Sequence, residues 1–268
     1  MIRKGISGLI MMLALLVMCC SNSKDNPKPI ETKKKLTVLT YNIHHGAPAD
    51  SETINLSNIA AVIKQSNADI VALQEVDVNT ERSGNVNQAK VLAEMLNMEY
   101  HFSKSIDYRG GDYGNAILSK YPLSNKRSLL LPMPVPKERR SIALATVTLP
   151  DGKKIEFGST HFDVEANRMD QSAFLVDLSK ELVQPLIIGG DYNATPDSPE
   201  MIELKKEFAL SCMGSCPFTI PVTNPNKAID FVVFNQKARQ MFSLVSGIAM
   251  KGQYASDHLP VIAVFQYN

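Results

Sequence analysis

From Leu36 onward, apolar positions fall into short runs separated by polar stretches, and the spacing inside each run separates strands from helices. Residues 36–41 read as a strand. Residues 54–65 carry Ile54, Ile59, Val62 and Ile63 at helical spacing, and residues 69–73, apolar from Ile70 to Leu73, suit a buried strand. A second helix is expected over residues 86–96, behind Gly84. Strands follow at 113–118, 141–148 and 155–160, the last two joined by the hairpin turn Pro150-Asp151-Gly152-Lys153. Residues 168–182 predict a third helix, 185–188 an apolar strand and 200–208 a shorter helix. Three more strands are expected at 229–234, 241–250 and 261–267. Strand-helix-strand units mixed with hairpins imply mixed sheets flanked by helices in one domain.

Composition agrees with a packed domain: of 268 residues, 44% are hydrophobic and 21% charged, which excludes a disordered chain, collagen and a coiled coil. Charge is balanced at 28 basic against 27 acidic residues. Protein that binds nucleic acid mainly through its phosphates carries a basic excess, so that class is not favoured.

The first residues change the picture of where the chain resides. Arg3 and Lys4 precede an apolar run from Ile6 to Met18, which is short for a membrane span and ends in Cys19 and Cys20 before a polar stretch. Residues 1–20 thus resemble a bacterial lipoprotein signal, with Cys20 or Cys19 as the lipidated residue. An ordinary secretory signal is the alternative, and either one exports the protein. Residues 21–35, rich in lysine and containing two prolines, read as a flexible tether, which leaves 36–268 as the folded domain. The implied location is a membrane anchored by lipid, facing the periplasm or the cell surface. Within the domain only Cys212 and Cys216 remain, with three residues between them. In an oxidising compartment they could pair as a disulfide, or they could stay free thiols.

Polar residues gather at the ends of the expected strands. Asn42 follows the first, Gln74 and Glu75 the second, and His161 the strand at 155–160. Asp191 and Asn193 follow the strand at 185–188, Asp230 lies at the start of the strand at 229–234, and Asp257 with His258 precedes the last strand. Loops at strand ends are where α/β scaffolds place reactive groups. Scattered carboxylates and amides suit a hard divalent cation that keeps waters and is completed by substrate oxygen, and histidines beside carboxylates suit proton transfer at neutral pH.

Seven segments carry a more specific signal. Thr40-Tyr41-Asn42-Ile43, Gln74-Glu75-Val76-Asp77, Tyr113-Gly114-Asn115-Ala116-Ile117-Leu118-Ser119, Thr160-His161-Phe162, Gly190-Asp191-Tyr192-Asn193, Ile229-Asp230-Phe231-Val232 and Ser256-Asp257-His258-Leu259-Pro260-Val261 resemble, in order, the motifs of the endonuclease/exonuclease/phosphatase superfamily. The resemblance spans residues 36–268. It implies a deoxyribonuclease-like α/β fold, a four-layer sandwich of two mixed sheets with helices outside. It implies a Mg²⁺- or Mn²⁺-dependent phosphoric ester hydrolase, in which Glu75 is the principal metal carboxylate and Asn42 and Asp257 help to hold the ion. Asp191 would deprotonate the attacking water, Asn193 would contact the phosphoryl group or the water, and His258 would face the phosphate with Asp230 behind it. His161 would bind the phosphate or assist the leaving oxygen. Arg140 and Asn115 are the substrate-binding candidates, with Arg139 competing for the role of Arg140 and a strand or turn role open for Asn115. His44 and His45 could edge the pocket, one of them merely exposed.

Export, near-neutral charge and the absence of tryptophan favour a small ester as substrate: a sugar or inositol phosphate, a nucleotide or a phospholipid headgroup. A secreted nuclease is the alternative within the same chemistry, and a non-catalytic surface ligand-binding lipoprotein the alternative outside it.

Overall fold

Asn55 opens the first helix by accepting a hydrogen bond from the Asn58 N–H, and Asn67 closes it in the left-handed conformation, so α1 (Leu56–Ser66) is capped at both ends by its own sequence. Asn87 and Asn97 do the same for α2 (Gln88–Leu96). The computed structural model in which these elements occur describes residues 1–2 and 34–268. The expected signal segment at 1–20, with Cys19 and Cys20, and the expected tether up to residue 33 lie almost wholly outside the described residues. The first strand, β1 (Lys34–Asn42), begins two residues before the expected start of the domain, because Lys34 and Lys35 pair with Tyr267 and Gln266.

The remaining elements are β2 (Ile70–Val78), β3 (Glu99–Tyr108), β4 (Gly111–Ser119), β5 (Leu123–Leu130), β6 (Ser141–Thr148), β7 (Lys154–His161), α3 (Arg168–Glu181), β8 (Leu186–Asp191), α4 (Pro199–Leu204), β9 (Phe208–Leu210), β10 (Asp230–Asn235), α5 (Gln236–Met241), β11 (Ser243–Ala249) and β12 (Val261–Tyr267). They form two six-stranded sheets, in the orders β11-β12-β1-β2-β4-β3 and β5-β6-β7-β8-β10-β9. Each sheet has one parallel pair at its centre, β1 with β2 and β7 with β8, and antiparallel pairs elsewhere.

The expected sandwich is present. Leu36, Val38, Ile70 and Ile117 of one sheet meet Ala143, Phe157, Ile187 and Val232 of the other in a buried core between the sheets. On the far side of the first sheet, Ile59, Val62 and Ile63 of α1 and Leu92 of α2 cover Leu39, Tyr41, Val71 and Leu73. On the far side of the second, Leu175 and Leu178 of α3 and Met201 and Leu204 of α4 cover Leu144, Leu186 and Ile188. Near one end the interior turns polar: Thr40 Oγ1 donates to Gln74 Oε1 (3.3 Å) within one sheet, and Gln74 Nε2 donates across to Ser159 Oγ (3.1 Å) in the other. At that end Gly189 lets the sheets approach closely, since a Cβ there would lie 2.6 Å from Ala72 Cβ and 2.9 Å from Thr40 Cβ.

Some elements differ from the sequence expectation. The strand expected at 241–250 is the end of α5 followed by β11, and the helix expected at 200–208 stops at Leu204, with Phe208 opening β9. Strands β5 and β9 had no separate expectation. The pair Cys212 and Cys216 is joined as a disulfide.

Candidate active site

Both parallel pairs end at the polar end of the sandwich, so the residues on their last turns converge. In the register of the first pair Asn42 sits beside Gln74, and in that of the second His161 sits beside Asp191. Glu75 follows Gln74 at a bulge where the pairing of β2 with β4 shifts between Leu73 and Val76, and its φ of 58° is in the left-handed region. A bulge of this kind re-aims a side chain out of the ladder, and a non-glycine residue held there carries strain that the surroundings must offset.

The side chains join into one network. Asn42 Nδ2 donates to Glu75 Oε1 at 2.9 Å and to Asp191 Oδ2 at 3.1 Å, while its Oδ1 accepts from the His44 N–H at 3.0 Å. One amide thereby holds a carboxylate from each sheet. The Asp191 carboxylate also accepts the Asn193 N–H at 2.9 Å and lies 3.5 Å from His161 Nε2 and 3.7 Å from His258 Nε2. His258 Nδ1 donates to Asp230 Oδ2 at 3.0 Å, and Thr219 Oγ1 donates to the same oxygen.

Arg140 is buried, whereas Arg139 is exposed, which decides between the two. Its Nη1 lies 3.1 Å from His161 Nδ1 and 3.1 Å from Glu138 Oε1. A guanidinium has no acceptor, so Nδ1 of His161 accepts and the ring proton sits on Nε2, facing Asp191. Asn193 Nδ2 donates to the Phe162 carbonyl at 3.1 Å and lies 3.0 Å from His161 Nε2. Asp257 is tied in through Ser256, whose hydroxyl is 2.7 Å from the Asn42 carbonyl and 3.2 Å from Asp257 Oδ1. Asn115 lies on β4 opposite the Gln74–Glu75 bulge: its Nδ2 donates to the Ser141 carbonyl at 2.8 Å, next to Arg140, and its buried Oδ1 has no partner among the described residues. Both His44 and His45 line a cavity beside this network, so neither is merely exposed.

Burial pushes the Asp191 carboxyl up to about 7, with the nearby Asp230 charge adding to the effect and His258 opposing it. Burial alone would lower the His258 imidazole, but the carboxylates of Asp230 and Asp191 outweigh it and lift it to about 10. Burial, helped by the Arg140 and His258 charges, holds His161 well below the usual imidazole range. The site therefore combines a base near neutrality, a charged imidazole and a neutral one. Environments that separate such groups assign acid and base roles.

The donor set fits a hard divalent cation. Glu75 is half-buried, and among the described residues its side-chain hydrogen-bond partner is Asn42, which also holds Asp191, so its second carboxylate oxygen is available to an ion. Asp191, Asp230 and His258 also place ligand atoms within 4.8 Å of one another, although Asp230 is already engaged by His258 and Thr219. Thr219 and Ser256 hold catalytic candidates in place. Ser256 stands inside a quoted motif, but nothing in the sequence around Thr219 marks it, because the loop carrying it is brought to Asp230 only by the fold.

Residues 39–258 match the sequence profile of the Endonuclease/Exonuclease/phosphatase family. The chain is 28% identical over 241 residues to a protein of Escherichia coli (strain K12) called YbhP and described as uncharacterized, a match covering 84% of this chain and 94% of that protein. Among solved structures, an endonuclease/exonuclease/phosphatase family protein from Bacteroides thetaiotaomicron superposes with a TM-score of 0.72 at 17% identity, covering 88% of this chain and 99% of that one. A mannosyl-6-phosphatase of Bacteroides thetaiotaomicron VPI-5482 superposes with a TM-score of 0.69 at 18% identity, covering 86% and 99%.

Proposed function

The chain belongs to the Endonuclease/Exonuclease/phosphatase family, and from that premise we propose that it is a metal-dependent phosphoesterase that hydrolyses a small phosphate ester at the Asp191 centre. The observation that carries this reading is the position of Asp191: one buried carboxylate, at about 7, met by His161 and His258 and held by the same Asn42 amide that holds Glu75.

Glu75, Asn42 and Asp257 would hold the ion. Bound Mg²⁺ or Mn²⁺ would polarise the phosphoryl oxygens and neutralise charge that develops on them. The chain's own residues would do the rest. Asp191 takes the proton of the attacking water, as a base whose affinity for protons matches neutral pH. The His258 imidazolium, kept charged by Asp230, faces the phosphoryl oxygens and stabilises the transition state. His161 presents its Nε2 proton toward the same space, with Arg140 fixing that tautomer from behind. Asn193, anchored on the Phe162 carbonyl, orients the water or the phosphoryl group.

A sugar or inositol phosphate, a nucleotide or a phospholipid headgroup is the favoured substrate, supported by the near-neutral charge of the chain and by the mannosyl-6-phosphatase with the same fold. We also propose export as a lipoprotein, supported by the apolar leader ending at Cys19 and Cys20. No helix among the described residues is long and apolar enough to cross a membrane.

The test is phosphate release or diester cleavage by the full chain, with Mg²⁺ or Mn²⁺ and with chelator, across sugar phosphates, inositol phosphates, nucleotides, phospholipids and plasmid DNA. Chelator-sensitive turnover of a small ester is expected. Nicking of plasmid as the dominant activity would replace this reading by the nuclease.

A further inference from the structure

Beside the loop that follows Asn42 lies a cavity of about 530 Å³ lined by His44, His45, Glu52, Arg82, Tyr108 and Arg109, with Ile54 as its apolar member. It adjoins the catalytic centre through His44. His44 is bonded through its N–H to Asn42, and Tyr113, whose hydroxyl feels first its burial and then the Glu75 charge, borders the same arginine and tyrosine from the other side. A phosphoester whose phosphorus sits at Asp191 therefore has this cavity as a place for the group attached to it.

The chemistry of the walls narrows what that group is. His45 is 4% exposed, yet neither of its ring nitrogens has a hydrogen-bond partner among the described residues. Glu52 Oε2, at 3.5 Å, belongs to a side chain 90% exposed at the rim, and the other carboxylate that acts on the ring, Asp77, is engaged by Arg82. An unpaired buried imidazole facing a cavity is costly unless something that enters the cavity pairs with it. Burial, the Arg82 charge and then His44 lower its proton affinity, so it offers one donor and one acceptor. His44 turns Nδ1 to the Ala47 carbonyl at 3.2 Å, which leaves Nε2 as an acceptor.

Charge argues against a second anion. Arg82 is neutralised by Asp77, fully buried, through Nε to Oδ2 at 2.7 Å and Nη2 to Oδ1 at 2.9 Å. Its guanidinium carbon lies over the Tyr108 ring, 4.5 Å from the centre, and its remaining N–H groups are donors without excess charge. Arg109 and Glu52, of opposite charge, both line the cavity. The walls thus present donors, acceptors and a group that is both, with the charges balanced. Hydroxyl groups are themselves donor and acceptor, and a ring bearing several of them satisfies such a mixed set where a phosphate or a carboxylate does not.

We propose that this cavity is the specificity pocket for a polyhydroxylated ring, a hexose or a cyclitol, carried by the scissile phosphate, with His45 as the residue that reads its hydroxyls. The proposal rests on the phosphoesterase reading and adds the class of substrate and the residues that select it. His45 and Arg109 bind the ring and take no part in moving protons at phosphorus.

The experiment compares kcat and KM of the full chain for glucose 6-phosphate, for myo-inositol 1-phosphate and for p-nitrophenyl phosphate, which has no hydroxyl on its ring. Wild-type protein, His45→Phe and Arg109→Ala are measured in parallel. Wild type is expected to favour one ring ester, and comparison of the two ring esters tells hexose from cyclitol. Either substitution should raise KM for that ester by about 10-fold, the scale of one lost buried hydrogen bond, and leave p-nitrophenyl phosphate turnover within about twofold. Arg109 is exposed, so its replacement tests the pocket even where His45→Phe fails to fold. Equal kcat/KM for all three esters in wild type, or an equal loss on all three in both variants, overturns the proposal. Failure to hydrolyse any of the three while another ester of the wider panel turns over refutes the ring pocket, and failure on the whole panel defeats the phosphoesterase reading instead. The pocket is then judged by calorimetric binding of glucose 6-phosphate and myo-inositol 1-phosphate without divalent cation, where Arg109→Ala must bind one of them more weakly than wild type and equal binding of both refutes it.

Discussion

Replacing Gly189 by alanine tests whether the approach of the two sheets sets the geometry of the site. The added Cβ would fall 2.6 Å from Ala72 Cβ, 2.9 Å from Thr40 Cβ and 3.1 Å from Thr40 Oγ1. The two Cβ atoms are fixed by the backbones of β2 and β1, so no rotamer change relieves the contact. Carbon atoms prefer a separation of about 3.5–4.0 Å, which requires the sheets to part locally by about 1 Å. Asp191 lies two residues beyond Gly189, and Asn42 two residues beyond Thr40, so the same displacement stretches the Asn42–Asp191 hydrogen bond from 3.1 Å to beyond hydrogen-bonding distance. Overpacking of this size costs about 1–3 kcal/mol. For a domain of this length that lowers Tm by roughly 2–12 °C. A misplacement of about 1 Å in a catalytic group costs on the order of 100-fold in rate. Calorimetry and kcat/KM on the best ester of the panel measure the two effects. Gly152→Ala serves as the control: its φ of 85° makes alanine strained, nothing lies within 4 Å, and its turn is remote from the carboxylates, so Tm should fall while activity stays. Wild-type Tm and wild-type activity together in Gly189→Ala would refute the claim that this close approach positions Asp191.

Glu75→Gln and His258→Ala should each lower metal-dependent hydrolysis by at least about 100-fold with the circular dichroism spectrum unchanged, and unaltered turnover in both would sink the site. Above the imidazole range the metal-free protein should lose stability as pH rises: His258 is raised from 6.5 to about 10 and Asp191 from 3.8 to about 7, so the folded state holds more protons than the unfolded one there, whereas below pH 6.5 the lowered His161 opposes Asp191. The contribution of Asp191 is complete below about pH 4 and gone above about 7, and that of His258 is complete below about pH 6.5 and gone above about 10. Denaturant midpoints across pH 4–10 check this, and Asp230→Asn should flatten the alkaline part of the curve. Replacing both Cys19 and Cys20 by serine should abolish labelling by radioactive palmitate and release the protein from the membrane fraction, whereas unchanged fractionation would remove the lipid anchor from the reading.

The elements that were legible in the sequence are those whose pattern is forced by burial. Strands β1, β2, β7 and β8 lie inside the sandwich and read as apolar runs, and each carries its polar group at the point where the run ends. Strands β5 and β9, which had no separate expectation, are both at sheet edges. An edge needs little apolar surface, and β5, with Ser124, Asn125, Lys126 and Arg127 in its middle, has the composition of a loop. The site shows the same division. Glu75, Asp191 and His258 stand in ordered motifs at strand ends, whereas Arg82 and Thr219 reach their partners from loops whose sequence gives no period to follow. The choice between Arg139 and Arg140 needed the register of β6, since only the side chain next to Ser141 turns inward.

The pairing of β1 with β12 has a consequence for connectivity. Lys34 lies opposite Tyr267, so the first and last strands of the domain are hydrogen-bonded neighbours. The strand order of the second sheet is that of the first with every number advanced by six around a closed count of twelve. Topologically the domain is a ring of twelve strands cut at one of several equivalent joints. A chain in which a few glycines link residue 268 to residue 34, and new ends are opened in the turn at Asp151–Gly152, should fold to the same sandwich with the same Asp191 centre.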